Sequence, residues 1–183
     1  MMSTLAVDSI TDAVGSGAPA FPNGVSGNIV TTGNLTATDL TLSGGVYLGG
    51  TGAANKLDGY EEGTWTPIIK ATGGSTTAAL TAYEPTYTKI GRLVYVSTFI
   101  SAISWSDITD GSLVILAGLP YAANANNYGP IILSHNNTNI AGGYIENGGH
   151  TYFSNASGSE FAQASNSITG NSFMFAATYN TTT

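Results

Sequence analysis

Leu93-Val94-Tyr95-Val96-Ser97-Thr98-Phe99-Ile100-Ser101 puts Leu93, Tyr95, Ser97, Phe99 and Ser101 on one face of an extended chain and Val94, Val96, Thr98 and Ile100 on the other. Both sets contain apolar side chains, which is the pattern of a strand covered on both faces rather than one with a wet side. The C-terminus repeats it, with Phe173, Phe175 and Ala177 set against Met174, Ala176 and Thr178. A second covered face of this kind is expected to be a subunit interface. No stretch sustains apolar residues at three- and four-residue spacing between capping residues, and a single turn over 160–164 is the most helix expected. The fold class is therefore all-β.

Working outward, further strands are expected over 64–71, 76–83, 87–90, 92–103, 112–117, 129–134, 140–146, 150–154 and 172–180, with turns at the spacing of a β-sandwich. Residues 57–183 are accordingly expected to form one C-terminal sandwich of jelly-roll type. Upstream the texture changes. Residues 27–56 carry short β-segments between glycines, in which Leu40, Leu42, Val46 and Leu48 share one parity. Such short, half-apolar strands need neighbours to bury them. A threefold β-shaft supplies these, and a hairpin packed on the next domain is the alternative. Residues 1–26 hold the run Gly15-Ser16-Gly17-Ala18-Pro19-Ala20-Phe21-Pro22, whose prolines and glycines forbid a helix or a central strand. An extended arm anchored by Phe21 is expected there, with a disordered terminus as the alternative.

Composition narrows the function. Charged residues make up 8% of the chain, against roughly 25% in an average globular domain. Neutral runs such as Asn124-Ala125-Asn126-Asn127 and Asn136-Asn137-Thr138-Asn139 must do the hydrating work instead. Four basic residues stand against eleven acidic ones, a net charge of -7, and Lys56, Lys70, Lys89 and Arg92 form no cluster. Phosphate neutralisation needs clustered Lys and Arg, so nucleic acid is not an expected partner. With no cysteine, disulfides and Cys-based zinc sites are excluded. No apolar run reaches the roughly 18 residues of a membrane span, and the first fifteen residues lack the pattern of an export signal. A hard, glycine-rich, charge-poor β-protein without an export signal is expected in a virion, released by lysis.

The segment Leu57-Asp58-Gly59-Tyr60-Glu61-Glu62-Gly63-Thr64-Trp65-Thr66-Pro67 resembles one found in bacteriophage tail fibre proteins of marine and freshwater phages. Tyr87-Thr88-Lys89-Ile90-Gly91 and Gly118-Leu119-Pro120 match stretches that follow it in that family, and the start of the chain, residues 3–12, is similar to the start of such fibres. Gly59 stands where the family has Asp, and Ala6 where it often has Lys. The likeness covers residues 3–12, 18–50 and 57–120 and thins after Tyr121. It implies a homotrimer whose N-terminus docks on another tail or baseplate protein and whose C-terminal β-domain meets the host surface, a glycan or a protein. The docking residues it implies are Leu5, Val7, Ile10 and Phe21.

Chemistry is sparse. Glu61 and Glu62 read as a structural junction, paired with Lys56, Lys89 or Arg92. Asp107 and Asp110 frame a loop and are explained by turn chemistry, with a Ca²⁺ site as the alternative. His135 and His150 lie in separate turns without a third ligand, so neither a zinc site nor any other cofactor is expected. No G-x-S-x-G nucleophile occurs, and an enzyme is not expected. Sugar recognition needs aromatic rings beside amides and hydroxyls, which the second half supplies in Tyr121, Asn124, Asn126, Asn127, Tyr128, His135, Asn136, Asn137, Tyr144, His150, Tyr152 and Asn155. Of these, Asn126, Asn127, Tyr128, His135, Asn136, Asn137 and His150 are the expected receptor-binding set. The competing reading is that Asn and Gly only make turns and that Tyr144 and Tyr152 belong to the core. The expectation is thus a trimeric tail fibre for host attachment. Its alternatives are a capsid decoration or head fibre protein and, behind that, a polysaccharide depolymerase.

Overall fold

The computed structural model describes residues 33–42, 44–57, 59–108, 113–125, 128–134, 140–154 and 172–182. Chain contacts divide the protein into two units, Met1–Thr41 and Leu42–Thr183. The arm and its expected docking residues Leu5, Val7, Ile10 and Phe21 lie outside the described residues, as does the turn expected over 160–164. In the second unit the described residues form strands and two short 3-10 turns, with no α-helix.

The first two strands, β1 (Val46–Tyr47) and β2 (Lys56–Leu57), make a small antiparallel ribbon. Its turn is fixed by the Asn55 side-chain amide, which donates to the Leu48 carbonyl at 2.9 Å. Leu40, Leu42, Val46 and Leu48, the residues of shared parity, are all exposed.

Nine more strands form one curled sheet: β3 (Tyr60–Thr64), β4 (Ile68–Ala71), β5 (Thr81–Ile90), β6 (Leu93–Ser101), β7 (Val114–Ala117), β8 (Gly129–Ser134), β9 (Gly142–Glu146), β10 (His150–Ser154) and β11 (Phe173–Asn180). Their spatial order is β3-β5-β6-β11-β8-β9-β10-β7-β4, and every described pairing is antiparallel. Strand β8 is the bend. Its first residues, Gly129 and Pro130, pair with β9, whereas Ile131 to Ser134 pair with β11. The β8-β9-β10 meander brings β10 back to lie beside β7, which is a Greek-key arrangement.

The two edge strands of that order, β3 and β4, are joined by only Trp65, Thr66 and Pro67. Three residues span about 10 Å even when extended, so the sheet must curl until its opposite edges meet. What drives the curl is burial. Val94, Val96 and Ile100 of β6 and Phe173, Phe175 and Tyr179 of β11 face Ile69, Leu116, Ile145 and Phe153 from the other half, all within one cluster. Rings cross the interior directly, Phe153 against Phe173 at 5.6 Å and Trp65 against Phe175 at 6.1 Å.

The alternation of residues 93–101 is realised in full, with Val94, Val96, Thr98 and Ile100 buried and Leu93 and Tyr95 exposed. Three of the expected stretches are divided or joined differently. The stretch 64–71 is not one strand, because Trp65–Pro67 carry the chain from one edge of the sheet to the other. The stretches 76–83 and 87–90 contribute to the single strand β5, which absorbs Glu84 and Pro85 as a bulge between Tyr83 and Thr86. Glu84 takes φ 47 there, a left-handed conformation that costs a residue with a Cβ, and a bulge is the setting that tolerates it.

Candidate functional site

Two surfaces and one internal clasp stand out, and each follows from strand register. The clasp draws on the motif around Trp65. In β3, Glu61 lies opposite Lys89 and Gly63 opposite Tyr87; Glu61 is exposed, and Tyr87 and Tyr121 are half-buried against the edge of the core. One carboxylate oxygen of Glu61 accepts the hydroxyl of Tyr87 and the other that of Tyr121. The two rings meet edge to face at 5.8 Å, and the Lys89 ammonium lies 5.4 Å from the Tyr121 ring centre. Tyr179 completes the arrangement, its hydroxyl donating to the Tyr121 carbonyl at 3.0 Å.

The three short segments on which the resemblance rests therefore converge here: Glu61 from the first, Tyr87 and Lys89 from the second, and Tyr121 next to Pro120 of the third. Gly63 is required because a Cβ there would meet the Tyr87 ring. Gly118 is required because it takes φ +84 and a Cβ would run into the Thr66 carbonyl oxygen, just where the chain crosses between edges. Glu61 is held by two tyrosines and by its register neighbour Lys89, one of the three expected partners. Glu62 accepts the Tyr60 hydroxyl on the outer face. The tyrosine hydroxyls hold the Glu61 carboxyl below its ordinary range, with Lys89 adding to the effect. The same bonds raise the Tyr87 and Tyr121 hydroxyls, and burial pushes Tyr179 up to about 12.

Asp107 also does structural work, its carboxylate accepting the Ala79 amide at 3.1 Å beside the 3-10 turn Trp105–Asp107. Its expected companion Asp110 lies outside the described residues. Among the described residues no group of three His, Asp or Glu side chains is placed to hold a metal ion, and no helix is long and apolar enough to cross a membrane.

The first surface is the outer face of β5, β6, β11 and β8. Ladder pairs place Tyr83, Phe99, Met174 and Ser134 in one row across it, and Thr86, Ser97, Ala176 and Ile132 in the next. Tyr83 and Phe99 stack at 5.6 Å. No outward position of β6, β8 or β11 carries a charge. Even so, Leu93, Tyr95, Ile132 and Met174 are 48, 47, 70 and 51% exposed. A hollow of about 530 Å³ lies on this face, lined by Ser97, Ala176, Tyr83, Phe99, Ile132 and Met174 and by one charged residue, Glu84 of the β5 bulge.

The second surface is the outer face of β8, β9 and β10 on the other half. Glu146 lies opposite His150 and Tyr144 opposite Tyr152, while Pro130 lies opposite Tyr144 on the far side. Tyr128, two residues before Pro130, joins the patch through its contact with Tyr144. Rings run across it, with Tyr128 against Tyr144 at 5.6 Å and edge to face, then Tyr144 against Tyr152 at 5.6 Å and nearly parallel. Tyr128 is 63% exposed, Pro130 is exposed too, and Tyr144, Glu146, His150 and Tyr152 are half-buried.

Of the expected receptor-binding residues, the structure brings Tyr128 and His150 onto this one patch. Asn126, Asn127, His135, Asn136 and Asn137 lie outside the described residues, as does Asn155. Tyr144 and Tyr152 face outward, while the core positions of their strands are Ile145, Thr151 and Phe153. Tyr121 belongs to the clasp, and the backbone N–H of Asn124 donates to the Asn180 carbonyl at 2.8 Å. Sequence reading missed Glu146 and Pro130 as members of the patch. The available signal was the shared parity of Tyr144 and Glu146 against His150 and Tyr152 across the Gly148-Gly149 turn. No protein-family model, no curated protein and no solved structure matches this chain.

Proposed function

We propose that this chain is a bacteriophage tail fibre protein, a homotrimer that attaches the virion to its host through the C-terminal β-domain. The observation that carries the reading is the exposed, largely apolar face of β5, β6, β11 and β8, on which β6, β8 and β11 carry no outward charge and Glu84 of the β5 bulge is the charged residue at the rim of the hollow. A chain of net charge -7 that leaves Tyr83, Tyr95, Ile132 and Met174 in water on a face free of outward charge on β6, β8 and β11 has a surface suited to copies of itself. The resemblance of the three clasp segments to fibre proteins supports the same reading and supplies the threefold symmetry.

In this account residues 57–183 form a jelly-roll sandwich, consistent with the Greek key of β7–β10 and the curled sheet. Residues 27–56 form the shaft, and residues 1–26 dock on a tail or baseplate protein through Leu5, Val7, Ile10 and Phe21. Three copies turn weak single-site contacts with a host glycan or protein into firm adhesion by avidity. The protein works by binding and not by catalysis, in keeping with the structural engagement of Glu61, Glu62 and Asp107. It resides in the virion tail and is extracellular after release.

Gold-labelled antibody raised against the protein and applied to intact particles tests the assignment. Label at the distal end of the tail is the expected result. Label spread over the head would overturn it in favour of a capsid decoration or head fibre protein.

A further inference from the structure

Glu146, His150, Tyr128 and Tyr144 with Tyr152 form a second surface whose chemistry differs from that of the apolar face. It presents an open aromatic ring, a carboxylate and an imidazole within two neighbouring cross-strand rows. Tyr128 rests against Tyr144, which in turn stacks on Tyr152, so the exposed ring is held from one side and open on the other. Preorganised aromatic surface of this kind binds without a large ordering cost. Next to it, Glu146 offers carboxylate oxygens that accept hydroxyl hydrogens in charge-assisted bonds, and His150 lies opposite it in register.

We propose that the outer face of β8, β9 and β10 is a saccharide platform. It takes a neutral pyranose whose C–H face lies on Tyr128 and whose hydroxyls reach Glu146 and His150. The choice of a neutral sugar follows from charge. Glu146 sits inside the patch, Lys70 is two strands beyond His150 on β4, and the net charge of -7 repels anionic glycans such as sialosides and uronates. The platform adjoins the apolar face at β8, where Pro130 and Ile132 share the outward parity, but Tyr128, Glu146 and His150 lie in other rows than Tyr83, Phe99 and Met174. This inference rests on the attachment reading and names the ligand class of its binding face.

The test is a glycan array probed with the full chain, printed with neutral oligosaccharides of gluco, galacto, manno and N-acetylated types beside sialylated and uronate-containing ones. Binding to at least one neutral class is expected. Tyr128→Ala and Glu146→Gln are each expected to weaken it at least tenfold while melting temperature and mass stay those of the parent. Tyr128→Trp should retain binding. Absence of neutral-glycan binding by the parent, binding confined to anionic glycans, or unchanged binding in both loss variants would overturn the proposal. Adsorption of labelled protein to the bacterium that the phage infects, measured in parallel, separates the two readings. A parent that adsorbs as well as Tyr128→Ala sinks the platform and leaves attachment standing, whereas a parent that does not adsorb sinks attachment itself.

Discussion

Thr151 is fully buried between Ile145 and Leu116 on neighbouring strands, and its hydroxyl has no hydrogen-bond partner. A buried hydroxyl without a partner costs about 1–3 kcal/mol, whereas a methyl of the same shape costs nothing there. Thr151→Val is therefore expected to stabilise the domain by about 1 kcal/mol, which raises the midpoint by about 2–4 °C in a chain of this size. A thermal scan checks it. Gly118→Ala should act the other way and by more, because it adds both left-handed strain and a collision with the Thr66 carbonyl. Loss of the cooperative transition, or of about 3 kcal/mol or more in urea, is the expected outcome.

Still at the residue scale, the Glu61 clasp sets a pH window. The Glu61 carboxyl is depressed in the folded protein, so its contribution is present above its ordinary value of 4.5 and is lost as pH falls below that. Tyr87, Tyr121 and Tyr179 are raised, so their contributions are present below 10 and are lost as pH climbs past it. Stability should thus fall on both sides of a plateau between about pH 5 and 10. Glu61→Gln should lower the plateau and remove much of the acid fall, as read by urea unfolding at a series of pH values. An unchanged acid limb in the variant would contradict the assignment.

Among elements, β6 and β11 were legible because their alternation is local and complete, and the interior positions that parity assigns to them are the ones buried. The break at Trp65–Pro67 was not legible, since apolar residues run on through Ile68 and Ile69. Only the pairing of β3 with β5, and of β4 with β7, reveals that the chain changes edges there. Pairing partners distant in sequence leave no periodic trace. For the same reason the clasp was out of reach, as Glu61 and Tyr121 are 60 residues apart, and Tyr144 and Tyr152 could be placed on the outer face only once their register was known. Trp65 fastens the two edges, with its ring against Phe175 and its indole N–H toward the Ser97 carbonyl at 3.4 Å. Trp65→Ala should cost about 3–5 kcal/mol, and Trp65→Phe should recover most of that loss. Chemical denaturation of the pair tests it, and equal stability of Trp65→Ala and parent would show that the seam does not depend on the indole.

For the whole molecule, the two outer faces divide the labour. One half of the sheet carries no outward charge on β6, β8 and β11 and exposes Leu93, Tyr95, Ile132 and Met174, and the other carries the aromatic and ionisable patch of Tyr128, Glu146 and His150. Of the two apolar faces read from residues 93–101, one fills the core and the other, with Leu93 and Tyr95 exposed, is the face that the proposed trimer uses. Light scattering of the intact chain after size exclusion addresses the central claim most directly, with Met174→Glu as its companion. The account predicts a mass three times the chain's 18.6 kDa for the parent and a collapse to 18.6 kDa for Met174→Glu at unchanged strand content. A parent that runs as a single chain, with its apolar face in water at every concentration tested, would contradict it.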